Sequence, residues 1–289
     1  MVTALIPSYA PDPESLAALT DSLRDAGIRP VVIANGRGAL DACVERSIPH
    51  VCWSDNLGFG RSINRAVREL GIDDNVLVLN DDISVDAIDL ATSLGEAKLF
   101  GTDRPWVLSL GEEQQRRIPN SCEIFANLSL IDRLTTRFRP RFPSRSTGPT
   151  YRAFSAVLIS REAWRATGGF DERYPFTFED SDFVRSLGLA DRGAAFHIEG
   201  ATSVRHHRSR TSSAQVERVL PVVVWSALLY LDKWERRRTR GKLLIALALV
   251  LRVLLVPWSR APVGAHLRGI RASVQTLLRD AEPPLPPFG

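Results

Sequence analysis

Cysteine is scarce. Cys43, Cys52 and Cys122 are three in 289 residues, and no CxxC pair occurs. That excludes a disulfide framework or a zinc-ribbon site and suits a reducing compartment. A secretory leader is not expected either, because MVTALIPSYAPD has no basic start and its apolar run breaks at Pro7. No apolar run reaches the ~20 residues that a bilayer crossing needs. The strongest, LLIALALVLRVLLVPW, is interrupted by Arg252 and Pro257. Internal repeats are absent, as are basic motifs interleaved with aromatics, so nucleic acid is not an expected partner.

What remains is the composition of an ordinary folded chain, 44% hydrophobic and 24% charged, long enough for one or two domains. Net charge is +4, unevenly placed: residues 205–260 carry a balance of +9 and the remainder −5. Only three of the 37 basic residues are lysine. Such a segment is either a solvated basic face or a surface for a partner bearing phosphates, such as anionic lipid or a lipid-linked pyrophosphate.

The first hundred residues alternate strand and helix patterns. ALIPSY predicts a strand, and Asp12-Pro13-Glu14 then supplies an N-cap, a proline at the first helical position and an acid in the first turn. Leu16, Leu19 and Leu23 share one face of that helix, which stops at Gly27. PVVIAN, HVCWS and NVLVLN predict further strands, alternating with helices at ALDACVERS and GRSINRAVREL. Repeated units of this length imply a mainly parallel sheet covered on both faces, with ligands at the carboxyl ends of its strands. A helix near Ile88–Leu99 and a strand at WVLSL follow. Residues 112–151 predict a mobile loop or hairpin, then AFSAVLIS a strand and REAWRATGG a helix. From about Ala214 the pattern is helical, and residues 281–289, AEPPLPPFG, predict a frayed tail.

Three polar clusters carry the candidate chemistry. They are Asn80-Asp81-Asp82 at a strand end, GGFDE with FEDSDF over 168–183, and SVRHHRSRTS over 203–212. Acids at a strand end with a distant histidine suit a hard divalent cation, and a further carboxylate suits a general base. Each cluster alone is also compatible with a solvated turn, a helix cap or an incidental histidine pair. NLGFGRSINRA is a glycine turn before a helix, a geometry that serves a nucleotide or a plain structural turn equally well.

Together and in order, IPSY, VVIANG, NLGFGRSINRA, VLVLNDD, GGFDE–FEDSDF and SVRHHRSRTS resemble the family 2 glycosyltransferases, in particular their rhamnosyltransferase-like bacterial branch. The resemblance spans roughly residues 3–212. It implies a GT-A fold, that is, a Rossmann-like, mainly parallel α/β sheet with helices on both faces, here followed by a C-terminal helical extension. A catalytic domain over 1–212 would comprise a nucleotide-sugar half to about 110 and an acceptor half over 111–212. The extension would cover 213–280.

The resemblance also assigns roles. Asp82 would hold Mg²⁺ or Mn²⁺ together with His206, with His207 as the second choice. Asn80 takes the place of the first acid of a DxD-type motif. Asp81 fills the middle place, as a supporting group or a solvent-facing neighbour. Pro7, Ser8, Tyr9, Asn35, Asp55, Asn56, Gly58 and Asn64 would line the donor pocket. Asp180 would be the general base, with Asp171, Glu179 and Asp182 on the acceptor side. In two places the chain departs from the family. Ala34 stands where an acid usually reads the base, leaving Asp55 to compensate. Phe154 or Ser155 replaces a customary glycine, which reshapes the acceptor side.

The activity implied is an inverting, metal-dependent transfer of a sugar to a lipid-linked or polysaccharide acceptor. L-Rhamnose from dTDP-rhamnose leads, with UDP-galactofuranose or another UDP-hexose as the alternative. A nucleotidyltransferase is disfavoured by the GGFDE–FEDSDF pair, and a degenerate sugar-nucleotide-binding or membrane scaffold by the intact Asp82, Asp180 and His206. LPVVVWSALLYL and LLIALALVLRVLLVPW predict helices packed on the catalytic domain or lying in the membrane interface. The expected location is cytoplasmic and peripheral at the inner face of the cell membrane. Oligomeric state is open.

Overall fold

The computed structural model describes residues 2–101, 104–110, 116–132, 150–191, 193–198, 204–206, 216–258 and 262–285. Its first half follows the alternation seen in the sequence: β1 (Thr3–Ser8), α1 (Pro13–Asp25), β2 (Arg29–Ala34), α2 (Arg37–Glu45), β3 (His50–Cys52), α3 (Phe59–Glu69) and β4 (Val76–Leu79). Asp12 caps α1 by accepting from the Ser15 N–H at 2.9 Å, and Leu16, Leu19 and Leu23 are buried as their spacing requires. Then come β5 (Ile83–Val85), α4 (Ala87–Ala97), β6 (Trp106–Ser109), β7 (Arg116–Arg117), α5 (Ser121–Ser129), β8 (Thr150–Tyr151), β9 (Ala156–Ile159), α6 (Arg161–Thr167), α7 (Glu179–Ala190), β10 (Ala195–Ile198) and β11 (Val204–His206).

Seven strands form one sheet in the order β10, β6, β9, β4, β1, β2, β3. All neighbours are parallel except β9, which runs antiparallel to both β4 and β6. The expected α/β class with a mainly parallel sheet is therefore observed. β4 reads VLVL because both its faces are covered. Leu77 and Leu79 pack with Leu16, Leu19 and Leu90 of α1 and α4, whereas Val76 and Val78 pack with Ile63, Phe170 and Phe183 on the opposite side. Each such side chain contributes roughly 1.5–3 kcal/mol on full burial. Two short ribbons, β5–β11 and β7–β8, lie outside the main sheet.

The region expected as loop or hairpin contains a helix that the sequence pattern did not reveal. α5 starts in a capping box, with Asn120 accepting from the Glu123 N–H and Glu123 accepting from the Asn120 N–H. The β7–β8 pairing supplies the hairpin-like part, while residues 133–149 lie outside the described residues.

The C-terminal part is helical as expected: α8 (Val216–Glu235), α9 (Arg238–Leu255) and α10 (Val263–Arg279). With α5 it forms a third core around Leu228, Tyr230, Ile245 and Leu249. Arg252, which interrupts the apolar run in the sequence, points inward. Its Nη1 donates to the Leu128 carbonyl in the last turn of α5 at 2.8 Å, where a helix end favours a cation. The tail departs from expectation. Glu282 accepts both Arg61 Nη groups at 2.7 Å, Pro283 is buried, and residues up to 285 are thereby docked on the start of α3.

Candidate active site

Strands β4, β1 and β2 lie side by side and parallel, so Asn80, Ser8 and Asn35 emerge along one edge of the sheet. The Asn35 N–H donates to the Ser8 carbonyl at 2.7 Å. Ser8 Oγ donates to Asp81 Oδ2 at 2.6 Å. Asp81 therefore turns toward the end of β1 rather than toward solvent. Burial pushes its carboxyl up, the Ser8 bond opposes this, and the neighbouring Asp82 charge adds to the rise. Tyr9 and Pro7 flank Ser8, with Tyr9 more than a third exposed.

Asn35 is buried and reaches sideways. Its Nδ2 donates to Ser62 Oγ at 3.1 Å and to the Gly58 carbonyl at 3.3 Å, tying the NLGFG turn to the end of β2, while its Oδ1 has no partner among the described residues. Asn56 Oδ1 closes that turn by accepting from the Gly58 N–H at 2.9 Å. Gly58 has φ +78°, and a Cβ there would stand 2.1 Å from the Pro175 carbonyl oxygen, so only glycine fits. Asp55 is exposed and accepts from Ser54 Oγ at 3.3 Å. Ala34 is buried.

Asn64 is buried and its amide is engaged within the protein. Its amide accepts from the Phe170 N–H at 2.9 Å and donates to the Phe170 carbonyl at 2.8 Å, 106 positions away. It also donates to Glu172 Oε1 at 3.0 Å. Both ends of the amide hold the GGFDE turn against α3, so this asparagine staples the two motifs together. Gly169, at φ +88°, admits it: a Cβ there would be 2.6 Å from Asn64 Oδ1.

After GGFDE the chain enters α7 through two consecutive residues in the left-handed region, Thr177 (φ 65°) and Phe178 (φ 69°). Such backbone costs about 1–3 kcal/mol per residue and persists only where its surroundings enforce it. The enforcing element is α8. Ser226 Oγ donates to the Phe176 carbonyl at 2.6 Å, and the Tyr230 ring packs on Phe178 with centroids 5.1 Å apart. Lys233 Nζ bridges Asp171 (2.8 Å) and Asp182 (2.7 Å), and Trp234 Nε1 donates to Asp182 Oδ1 at 2.7 Å. Tyr174 adds a further hydrogen bond to Asp182. Ser226, Tyr230, Lys233 and Trp234 follow i, i+4, i+7, i+8 and so form one stripe. Sequence reasoning missed them. The available clue was a polar and aromatic stripe in an apolar helix, carrying one of three lysines.

The acids expected on the acceptor side take part in this network. Asp182 is fully buried and accepts from three donors. Burial pushes its carboxyl up against the pull of Lys233. Burial acts the same way on Asp171, but hydrogen bonds from Arg173 and Lys233 outweigh it and hold that carboxyl well below the usual range. Both acids lock α8 in place rather than standing open to an acceptor. Glu179 is buried too, with Oε1 lacking a partner among the described residues, and burial pushes its carboxyl up to about 8. Asp180 lies between them, half-buried at the first turn of α7, with Oδ1 accepting from the Ser181 N–H at 2.6 Å.

The chemistry of the donor set at the end of β4 fits a hard divalent cation: adjacent carboxylates on Asp81 and Asp82, with like charges pressed together. β11 pairs antiparallel with β5 and sets the His206 backbone opposite Ile83, the residue after Asp82. His207 lies outside the described residues. Among the described residues, no three His, Cys, Asp or Glu side chains form a ready-made metal cluster.

No family model matches this chain. Its sequence is 28% identical, over 237 residues, to "N-acetylglucosaminyl-diphospho-decaprenol L-rhamnosyltransferase" of Mycobacterium tuberculosis, covering 71% of this chain and 75% of that protein. The same similarity is found in a second strain of that organism. Among solved structures, S. aureus TarS 1–349 aligns over 97% of this chain and 92% of its own, at 13% identity and a TM-score of 0.45. The resemblance read from the motifs, and the assignment of the chain as a glycosyltransferase, are borne out by the mycobacterial relatives.

Proposed function

With the similarity to a rhamnosyltransferase as premise, we propose that this chain moves a sugar, with inversion, from a nucleotide diphosphate to a hydroxyl of a lipid-linked or polysaccharide acceptor in cell-wall glycan synthesis. The relative named for L-rhamnose transfer favours dTDP-L-rhamnose as donor. UDP-galactofuranose or another UDP-hexose is the competing donor.

The observation that carries the reading is the division of labour at the start of α7. Glu179 and Asp182 are buried, the first with its carboxyl pushed up by burial and the second bound to Lys233, whereas Asp180 keeps part of its surface toward solvent. This contrast supports Asp180 as the carboxylate that takes the proton from an acceptor hydroxyl. As that oxygen forms its bond to the anomeric carbon from one face, the bond to the diphosphate breaks on the other, and the proton ends on Asp180. Ser8, Asn35 and Asn80 form the strand-end wall for the nucleotide. Asp82 and His206 would hold the divalent cation, which when bound neutralises charge gathering on the departing diphosphate.

A thermal-shift screen of sugar nucleotides with Mn²⁺, followed by transfer to a lipid-linked acceptor, tests the proposal. Stabilisation by dTDP-rhamnose and transfer of rhamnose are expected. If no sugar nucleotide binds, the reading is wrong.

A further inference from the structure

α9 is apolar on its outward face as well as on the face it packs against the core. The residues it turns inward are Gly241, Ile245, Ala248, Leu249 and the charged Arg252, whose guanidinium is spent on the Leu128 carbonyl and on His266. The residues it turns outward are large and aliphatic: Leu243 is 68% exposed, Leu247 60%, Val250 63% and Leu254 64%. Their spacing, i, i+4, i+7, i+11, sets them in one line along the helix. A water-facing helix carries the opposite pattern, and a contiguous exposed stripe of this kind marks a contact surface.

The charge at one end of the stripe identifies what covers it. Arg236, Arg237 and Arg240 are all exposed at the amino end of α9, which has no acid in its first turn and no side-chain cap. Cations there repel the positive end of the helix dipole, a cost that an anionic surface offsets. Arg238 is not among them, because it turns back to Asp232 at 2.9 Å and Asp280 at 2.6 Å. Between α8 and α9 these arginines line an open depression of about 620 Å³, whose two acids are engaged elsewhere, Asp232 by Arg238 and Glu235 by the Ser121 N–H. No helix among the described residues is long and apolar enough to cross a membrane, and the inward face of α9 is committed to α5 and α8. An aliphatic stripe with a cationic corner is the pattern of a helix lying in the headgroup layer.

We propose that the outer face of α9 and its arginine corner dock the protein on an anionic phospholipid bilayer, with the helix parallel to the surface. The proposal stands apart from the assigned sugar transfer, since it is read without donor or acceptor.

The test is flotation of the full chain with vesicles of phosphatidylglycerol and phosphatidylcholine, beside vesicles of phosphatidylcholine alone. The protein is expected to float with the anionic vesicles and to be released by salt. Leu247→Glu with Leu254→Glu, both at exposed positions, should leave the melting temperature unchanged and weaken flotation by about tenfold or more. Replacing Arg236, Arg237 and Arg240 with Gln should weaken it by roughly fivefold per arginine. Wild-type protein that ignores anionic vesicles, or a double-glutamate variant that floats as well as wild type, overturns the proposal. So does a dimer in sedimentation that the double-glutamate variant abolishes without any vesicle binding, since the stripe would then be covered by a second copy of this chain.

Discussion

Lys233 reaches 51 positions back along the chain to form a 2.7 Å ion pair with Asp182, two residues past the proposed base. The pair ties the C-terminal helices to the first turn of α7, which bears Asp180. Removing the cation leaves Asp182 buried and uncompensated. Lys233→Met is expected to lower unfolding stability by about 3 kcal/mol, read from urea denaturation. Transfer should fall through kcat while donor affinity holds, because the donor wall on β1, β2 and β4 is untouched. Lys233→Arg should restore part of both.

Asp180→Asn keeps the shape of the helix start and removes the proposed proton acceptor. Transfer is expected to drop by about 10²–10⁴-fold. Donor-induced thermal stabilisation should be unchanged. A variant transferring at the wild-type rate would remove Asp180 from its role.

Glu179 makes stability depend on pH. Its folded carboxyl stands at about 8 against an ordinary 4.5. The folded state therefore holds a proton that the unfolded chain releases between those values. Its contribution is complete below the unfolded value and is lost as pH rises through the folded one, with a slope of at most ~1.4 kcal/mol per pH unit. Glu179→Gln should flatten the fall in melting temperature over this window and raise stability at its upper end. An unchanged profile would show that Glu179 is not the group responsible.

Asp82→Ala separates the metal from the rest of the donor pocket. The stabilisation that a sugar nucleotide gives in the presence of Mn²⁺ should disappear, while the melting temperature of the free protein stays within about 1 kcal/mol of wild type in stability terms. Isothermal titration with the nucleotide, with and without Mn²⁺, reads the difference directly. Equal heats in wild type and variant would place the cation elsewhere.

Much of the architecture was legible in the sequence because it rests on local rules. The cap at Asp12, the leucine face of α1, the doubly buried VLVL of β4 and the glycine before α3 each follow from a few neighbouring residues. The antiparallel course of β9 was not, since strand direction depends on the route of the connection and not on AVLI itself. Asn64 was matched to a donor motif by position, yet its bonds run to a turn 106 residues later, which no local pattern reveals. Lys233 escaped notice for the same reason. Its meaning lies in two acids, Asp171 and Asp182, that only folding brings to it.

β9 has a consequence for how the molecule assembles. It sits between β4 and β6, so the middle of the sheet is built from segments nearly eighty residues apart, and neither neighbour has its full set of hydrogen bonds until β9 arrives. A cut near residue 110 consequently falls inside a unit of folding and not between two. Cut there, the piece would expose the edge of β4, four aliphatic residues long, as a template for aggregation. Pairings of such long sequence separation also slow folding, and this chain should gain its central register late, after the local β1–β2 units have formed.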